Sequence, residues 1–382
     1  MPELTPLNMT SPSRCPLRDS AASIRVLTDV ADLGHIWKTW SDLQSASRAA
    51  SPFQTVDWAI ATARCHVREG GSIAVVVVGP MEAPRVIVPL AIETRLGVSV
   101  LRWLGEPLTQ YGDALISSSA TQDDLAAAWH AIGRLPADII LLRNIRQTAN
   151  AVGLTKGRGQ RLGETLSPYL DLDLLRGGAD YGSVMGKGAD KRARTAQRRL
   201  AALGEVSFRV DHGDAARASA RAAIAMKAAW LEARGLTRSA IECPMKKEAL
   251  VDLSGSAGGA VSALMLDGVL VAAEIGFFHR DHYIAYLGAF HADYANRSPG
   301  RVQMLHTINW CREQGFKAYD LLPPGGDYKE DWSSHSEPVF DFAEARTALG
   351  TAFLAMQKLR PHAKALYTAL PPSLKRLAGR AY

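Results

Sequence analysis

The sequence predicts an α/β protein, more closely α+β, made of two lobes in which a mixed, mostly antiparallel sheet is flanked by helices. Two observations carry this. Apolar runs of strand length recur in one order in both halves: strand, helices, three strands, helix, strand. The stretch from His282 to Trp332 joins a buried strand to a helix start and then to another strand, so a helix dipole points outward from the end of a strand. Composition agrees with both: 382 residues at 47% hydrophobic and 21% charged make a globular chain long enough for two domains.

Residues 1–22, rich in Pro, Ser and Thr with no apolar core, are expected to form a disordered leader and neither a signal peptide nor a membrane span. The first lobe is expected over residues 23–165. It opens with the strand SIRVL, a helix carrying Leu33, Ile36, Trp37 and Trp40, and a second helix entered through Ser51-Pro52. Three apolar runs follow (SIAVVVVG, RVIVPLAIET, VSVLRWLG), then DALIS, a helix from Asp123 to about Leu135, and a strand at DIILLRNI. This half shows no catalytic cluster. The Gly-, Lys- and Arg-rich TKGRGQRLGE reads as the connection between lobes.

The second lobe, residues 166–345, repeats the plan. SPYLDLDL reads as a strand, SVMGKGADKRARTAQRRLAALG as a strongly basic helix, EVSFRVD as a strand, and Asp214 to Arg234 as a helix. VSALMLDG and VLVAAEIGFFHR form a hairpin through Asp267-Gly268, a favoured tight-turn pair. The strand YIAYLGAF is stopped by ADYANRSPG. There the Ser298 oxygen is expected to accept from a first-turn N–H, and Pro299 to fill the position that needs no donor. Val302, Leu305, Ile308 and Cys311 keep helical spacing, and FKAYDLL and PVFDFAEA read as the last strands.

Residues 346–382, which hold no acid, are expected to form a basic C-terminal helical segment. Pro361 is expected to break or kink it, and its apolar face either packs on the lobes or rests on an anionic membrane. Four Cys at 15, 65, 243 and 311 fit neither a disulfide framework nor a zinc-ligand pattern, and a reducing cytoplasm is the simplest setting. The His residues show no metal pattern. A formal charge of +6 suits an anionic cofactor or a nucleic acid and requires neither.

This order of elements resembles the GNAT N-acyltransferase fold. The chain looks like acetyltransferases of the CelD/BcsL type, whose two-lobed layout is similar to the FemABX peptidyltransferases. The motifs that carry the resemblance are SPFQTVDW, DKRARTAQRRLAALGEVSF, MKAAWLEARG, SPG and YDLLPPGGDYKEDW, spread over about residues 24 to 345. It implies two tandem GNAT-like lobes, with acetyl-CoA or another acyl-CoA as co-substrate and no metal. Its pyrophosphate would lie over Arg297, Ser298, Gly300, Arg301 and Val302, where the family pattern has Gly or Ala in place of Val302.

Acyl transfer needs a base for the attacking amine or hydroxyl and a donor for the developing oxyanion. Glu274, which interrupts the apolar run VLVAAEIGFF, is the candidate base; the alternative is a strand-edge carboxylate facing solvent or a cation. Asp320 and Lys329 are a second catalytic group or a structural pair. Tyr286 is a candidate proton donor to the departing thiolate, or a core tyrosine. Arg192, Trp230, Tyr328 and Trp332 lie in the resembling motifs and are the expected acceptor-side residues. The resemblance implies acyl transfer to an amine or hydroxyl of a saccharide, in exopolysaccharide or cellulose production, with contact to a membrane or polysaccharide synthase. A Fem-like transferase using aminoacyl-tRNA and a non-catalytic saccharide- or nucleotide-binding accessory protein are the alternatives.

Overall fold

A computed structural model describes residues 23–47, 51–177, 181–186, 188–236 and 242–369, so the expected leader lies outside the described residues. In the first lobe β1 (Ile24–Leu27) is followed by α1 (Val30–His35), α2 (Trp37–Ala46) and α3 (Val56–Arg68). Then come β2 (Ser72–Val78), β3 (Val86–Arg95), β4 (Val98–Trp103), the short β5 (Leu115–Ile116), α4 (Gln122–Gly133), β6 (Ile139–Arg146) and α5 (Ala151–Thr155). β7 (Gln160–Asp171), α6 (Leu172–Arg176), α7 (Tyr181–Val184) and α8 (Ala189–Ala201) lead into the second lobe. That lobe holds β8 (Val206–Asp211), α9 (Gly213–Glu232), α10 (Pro244–Ser254), β9 (Gly259–Leu266), β10 (Val269–His279) and β11 (His282–Phe290). It is completed by α11 (Pro299–Glu313), β12 (Ala318–Asp320), α12 (Asp327–Glu330), β13 (His335–Ala345) and α13 (Ala348–Ala369).

The two lobes share one 13-stranded sheet in the order β1-β2-β3-β4-β6-β13-β7-β12-β11-β10-β9-β8, with β5 paired to β3. The join is reciprocal. β7, which follows the first lobe, pairs with β12 of the second, and β13, which ends the second, pairs with β6 of the first; β7 and β13 also pair with each other. The expected connection TKGRGQRLGE is therefore corrected from Gln160 onward. Those residues are strand because β13 supplies a full antiparallel partner, and the expected boundary near 165 falls inside β7.

Strands covered on both faces read as continuous apolar runs. In β2, Val76 and Val78 pack on one face beside α4, while Val75 and Val77 pack on the other beside Leu33 and Trp40. The hairpin at Asp267-Gly268 forms as expected, with φ of 48° and 77° at the two turn residues. The sequence reading missed α10, although Pro244 occupies its first turn and Ala249, Leu250 and Leu253 are buried. It also expected Pro361 to break or kink the last helix; α13 is one helix from Ala348 to Ala369, so the chain is not broken there. Phe353 and Leu354 seat that helix on Val98, Val100, Ile139 and Leu141, whereas Leu349, Met356 and Leu359 are exposed. No helix among the described residues is long and apolar enough to cross a membrane.

Candidate active site

The sheet opens at one point in the second lobe. β11 and β12 run parallel and pair only at His282–Ala318, Tyr283–Tyr319 and Ile284–Asp320, after which they part. β11 also carries an extra residue there: Ile275 of β10 faces Leu287 and Gly276 faces Ala285, which leaves Tyr286 as a bulge. From Ala285 to Phe290, β11 has no strand partner on its β12 side among the described residues. A wedge with unpaired backbone donors and acceptors thus lies in mid-sheet.

At the open end of the wedge the chain enters α11 through Pro299, as expected. Ser298 does not act as expected: it adopts a left-handed conformation (φ 54°, ψ 49°), and its side chain makes no capping bond. No acid occupies the first turn. Arg297 and Arg301 flank the turn, with no ion pair among the described residues. A Cβ on Gly300 would come no closer than 3.7 Å to Phe290. Val302 is 0% exposed and packs inward with Ala196, Leu200, Val271 and Ala272, so only its backbone is available to the turn.

The two sheet faces at the wedge have different chemistry. On the inter-lobe face, Tyr111 of the first lobe donates to Asp320 at 2.8 Å to each carboxylate oxygen and also contacts the Ser167 hydroxyl. The Leu322 N–H donates to the same carboxylate at 2.7 Å. Burial pushes the Asp320 carboxyl up, against the lowering effect of these bonds and of Arg146, which lies 4.9 Å over the Tyr111 ring. The Tyr286 hydroxyl donates to the Leu108 carbonyl at 2.9 Å, and its ring packs edge-on to Phe277 and Trp58, so its place is that of an inter-lobe core tyrosine.

On the opposite face, beneath α11, lies Glu274. It is 2% exposed and faces neither solvent nor a strand edge, which corrects the bland alternative raised for it. Tyr319 donates to its carboxylate at 2.7 Å and Tyr283 at 3.2 Å. Gln303 of α11 donates to Ser262 at 2.8 Å and to Thr307 at 2.7 Å in the same buried layer. Burial pushes the Glu274 carboxyl up to about 7, against hydrogen bonds from both tyrosines and Gln303 that lower it. Glu274 and Asp320 are therefore on opposite faces and do not form one catalytic group.

The remaining expected residues separate as well. Lys329 donates to the carbonyls of Leu322 at 2.7 Å and Pro324 at 2.9 Å, fixing the turn after β12. Tyr328 is 57% exposed. Trp332 is 3% exposed in the core with Leu172, Met185 and Leu321, which removes it from any acceptor surface. Arg192 is held by Asp331 at 2.6 Å and joins α8 to the end of α12. Trp230 is half-buried, with Arg234 and Lys227 over its ring at 4.1 and 4.7 Å. Tyr111 and Ser167 were missed because no motif marks them, and Tyr319 was passed over inside YDLLPPGGDYKEDW; Ser167 and Tyr319 reach the wedge through the pairing of β7 and β12, Tyr111 through the loop between β4 and β5.

The first lobe has an equivalent parting that is closed to an anion. β4 and β6 pair only at Val100–Ile139 and Leu101–Ile140. Beside it Arg102 is buried against Glu93 and Glu106, the latter at 2.8 Å. The following helix, α4, is capped by its own acid: Asp124 accepts from the Thr121 N–H at 2.9 Å and pairs with Arg85 at 2.7 Å. A carboxylate already occupies the positive end of that dipole, whereas α11 has none.

Residues 187–330, which span α8 to α12 and enclose the wedge, match the family model described as an acetyltransferase (GNAT) domain. No curated protein matches the chain in sequence. Among solved structures, FemX superposes with a TM-score of 0.60 at 10% identity, covering 88% of this chain and 100% of that one. The C-terminal domain of an Agrobacterium fabrum protein described as a lysylphosphatidylglycerol synthetase gives 0.56 at 14% identity, with 86% and 97% covered. A conserved protein of unknown function from Bacteroides thetaiotaomicron gives 0.55 at 7% identity, with 84% and 100% covered. The likeness at these identities is one of fold: a GNAT-like mixed sheet flanked by helices.

Proposed function

We propose that the chain is an acyltransferase that moves an acyl group, acetyl in the simplest case, from acyl-CoA to an amine or hydroxyl. The observation that carries the reading is the wedge after Ile284–Asp320, which leads from a bulged strand edge to the uncapped start of α11. An extended amide-bearing chain such as pantetheine can pair with the free edge of β11. The first-turn amides of α11, with Arg297 and Arg301, suit a pyrophosphate. Unpaired amides at the Tyr286 bulge would be the oxyanion donors.

In this reading the acceptor approaches from the inter-lobe face, and Asp320 takes its proton. Tyr111 and the Leu322 amide hold that carboxylate in place. Glu274 serves to fix α11 on the sheet. The acceptor we propose is a saccharide, on the resemblance to the CelD/BcsL type, with a cytoplasmic acyl-CoA pool as the donor.

The fold likeness to FemX, with Lys191, Arg194, Arg198 and Arg199 exposed on α8, favours a second reading as an aminoacyl-tRNA-dependent transferase. Native mass spectrometry of the purified chain separates the two. A retained or added CoA thioester bound one per chain supports the first; co-purifying tRNA with no CoA affinity replaces it with the second.

A further inference from the structure

We propose that Cys65 and Cys243 are a redox-active pair that clips the two lobes together through a reversible disulfide. Cys65 lies on α3 of the first lobe and Cys243 at the cap of α10 in the second, and these two helices pack on each other. Both thiols are free. Their contacts are reciprocal. The Cys65 thiol donates to the Met245 carbonyl at 3.3 Å, two residues past Cys243. The Cys243 thiol donates to Glu69 Oε1 at 3.0 Å, one helical turn past Cys65. Lys246 holds both oxygens of Glu69, at 2.6 and 2.7 Å, so the two helix ends are tied at this spot. Burial pushes the Cys65 thiol up, and the neighbouring charges of Cys243 and Glu69 push it the same way, against Lys246 and Arg68.

The pair is also within reach of a small oxidant. An open groove of about 650 Å³ runs between α3 and α10, with Cys65 in its wall beside Arg64, Arg68 and Met245. Cys243, half-buried at the helix start, is the more accessible sulfur. In the reaction a peroxide oxidises Cys243: the sulfur attacks one oxygen, the O–O bond breaks, and a sulfenic acid and one water result. The Cys65 sulfur then attacks the sulfenic sulfur, the S–O bond breaks, and a second water leaves with the proton of the Cys65 thiol. Two thiols and one peroxide give one disulfide and two waters. Closure requires each sulfur to turn from its present acceptor toward the other, with the two Cα atoms brought to the usual disulfide separation of about 4.4–6.8 Å. The bond fixes α3 to α10 beside the inter-lobe core of Phe53, Trp58 and Phe277.

The test uses the full chain, reduced, exposed to hydrogen peroxide, alkylated and digested without reductant. The expected product is one peptide pair joined through Cys65 and Cys243, two hydrogens lighter than the separate peptides, released by dithiothreitol and absent from Cys243→Ser. Since Cys65 is buried, Cys243→Ser carries the test, with its Tm under reductant as the folding control. Oxygen adducts on Cys243 with Cys65 still alkylated would overturn the proposal. So would both thiols remaining alkylated, or a bridge to Cys15, Cys311 or a second chain.

Discussion

Tyr319 and Glu274, on strands β12 and β10, meet in a 2.7 Å hydrogen bond beneath α11, in a layer with no cationic side chain among the partners of the carboxylate. An acid buried this way is held by neutral donors, which favour its charged form less than a cation would. Glu274 thus binds its proton up to about 7, against an ordinary value of 4.5.

The consequence for stability has a definite sign. Between pH 4.5 and about 7 the folded chain holds this proton and the unfolded chain has lost it, so stability falls as pH rises through that window and levels off above it. The loss is on the order of 3 kcal/mol. Glu274→Gln keeps the neutral shape and removes the titration, so urea unfolding at pH 5 and pH 8 is expected to show a smaller difference in the variant, with the variant the more stable protein at pH 8. An unchanged difference would place the slope on another group. A turnover loss of about 10²-fold at unchanged CoA affinity would make Glu274 the base instead.

Asp320 is expected to behave differently. Asp320→Asn should lower turnover by about 10²-fold or more while leaving CoA affinity in place. Tyr111→Phe removes a donor that lowers the Asp320 carboxyl, so its titration moves further up and the acid limb of the rate profile moves to higher pH. A purely structural Tyr111 would reduce the amount of active protein without moving that limb.

The α11 turn can be tested by size. The Cβ of Gly300→Ala meets only Phe290 at 3.7 Å, an ordinary contact, so CoA binding should survive. Gly300→Trp places a bulky group at the helix start and is expected to weaken CoA by about tenfold or more, near 1.4 kcal/mol, with Tm little changed. Equal affinities by calorimetry for wild type and both variants would remove this turn from the binding site.

Much of this architecture was legible because local signals and tertiary environment agree. The apolar runs, the Asp267-Gly268 turn and the Pro299 helix start each have a local cause, and all three formed. What could not be read depends on pairing at a distance. Ser298 had the composition of a cap, but its left-handed backbone turns the side chain away from that role. Glu274 stood out as a charge in an apolar run, yet whether it faced a cleft or a helix depended on the tyrosines of β11 and β12. Asp320 stood out in the sequence at the end of a strand, whereas its partner Tyr111 comes from the other lobe through a loop without a motif. Trp332 had the look of a binding aromatic, and only the packing of α6 and α7 around it shows a core residue.

Gly276 gives the sharpest test of the Glu274 layer. It is one of the two small residues flanking Glu274 on that face of β10, and a Cβ there would lie 2.0 Å from the Tyr283 hydroxyl and 2.1 Å from its ring carbon Cζ. Tyr283 is fully buried and stacked on Tyr319 at 5.5 Å, so its ring has little space to move into. Gly276→Ala must therefore displace the ring and weaken its bond to Glu274, at a cost of about 1–3 kcal/mol for an overpacked core. Gly288 is the control. It sits opposite Glu274 on β11 with nothing within 4 Å of an added Cβ, and Gly288→Ala should change stability by less than about 0.5 kcal/mol. Urea midpoints for the two variants settle the matter: equal midpoints would mean that Tyr283 is not held against Glu274 by the missing side chain at 276.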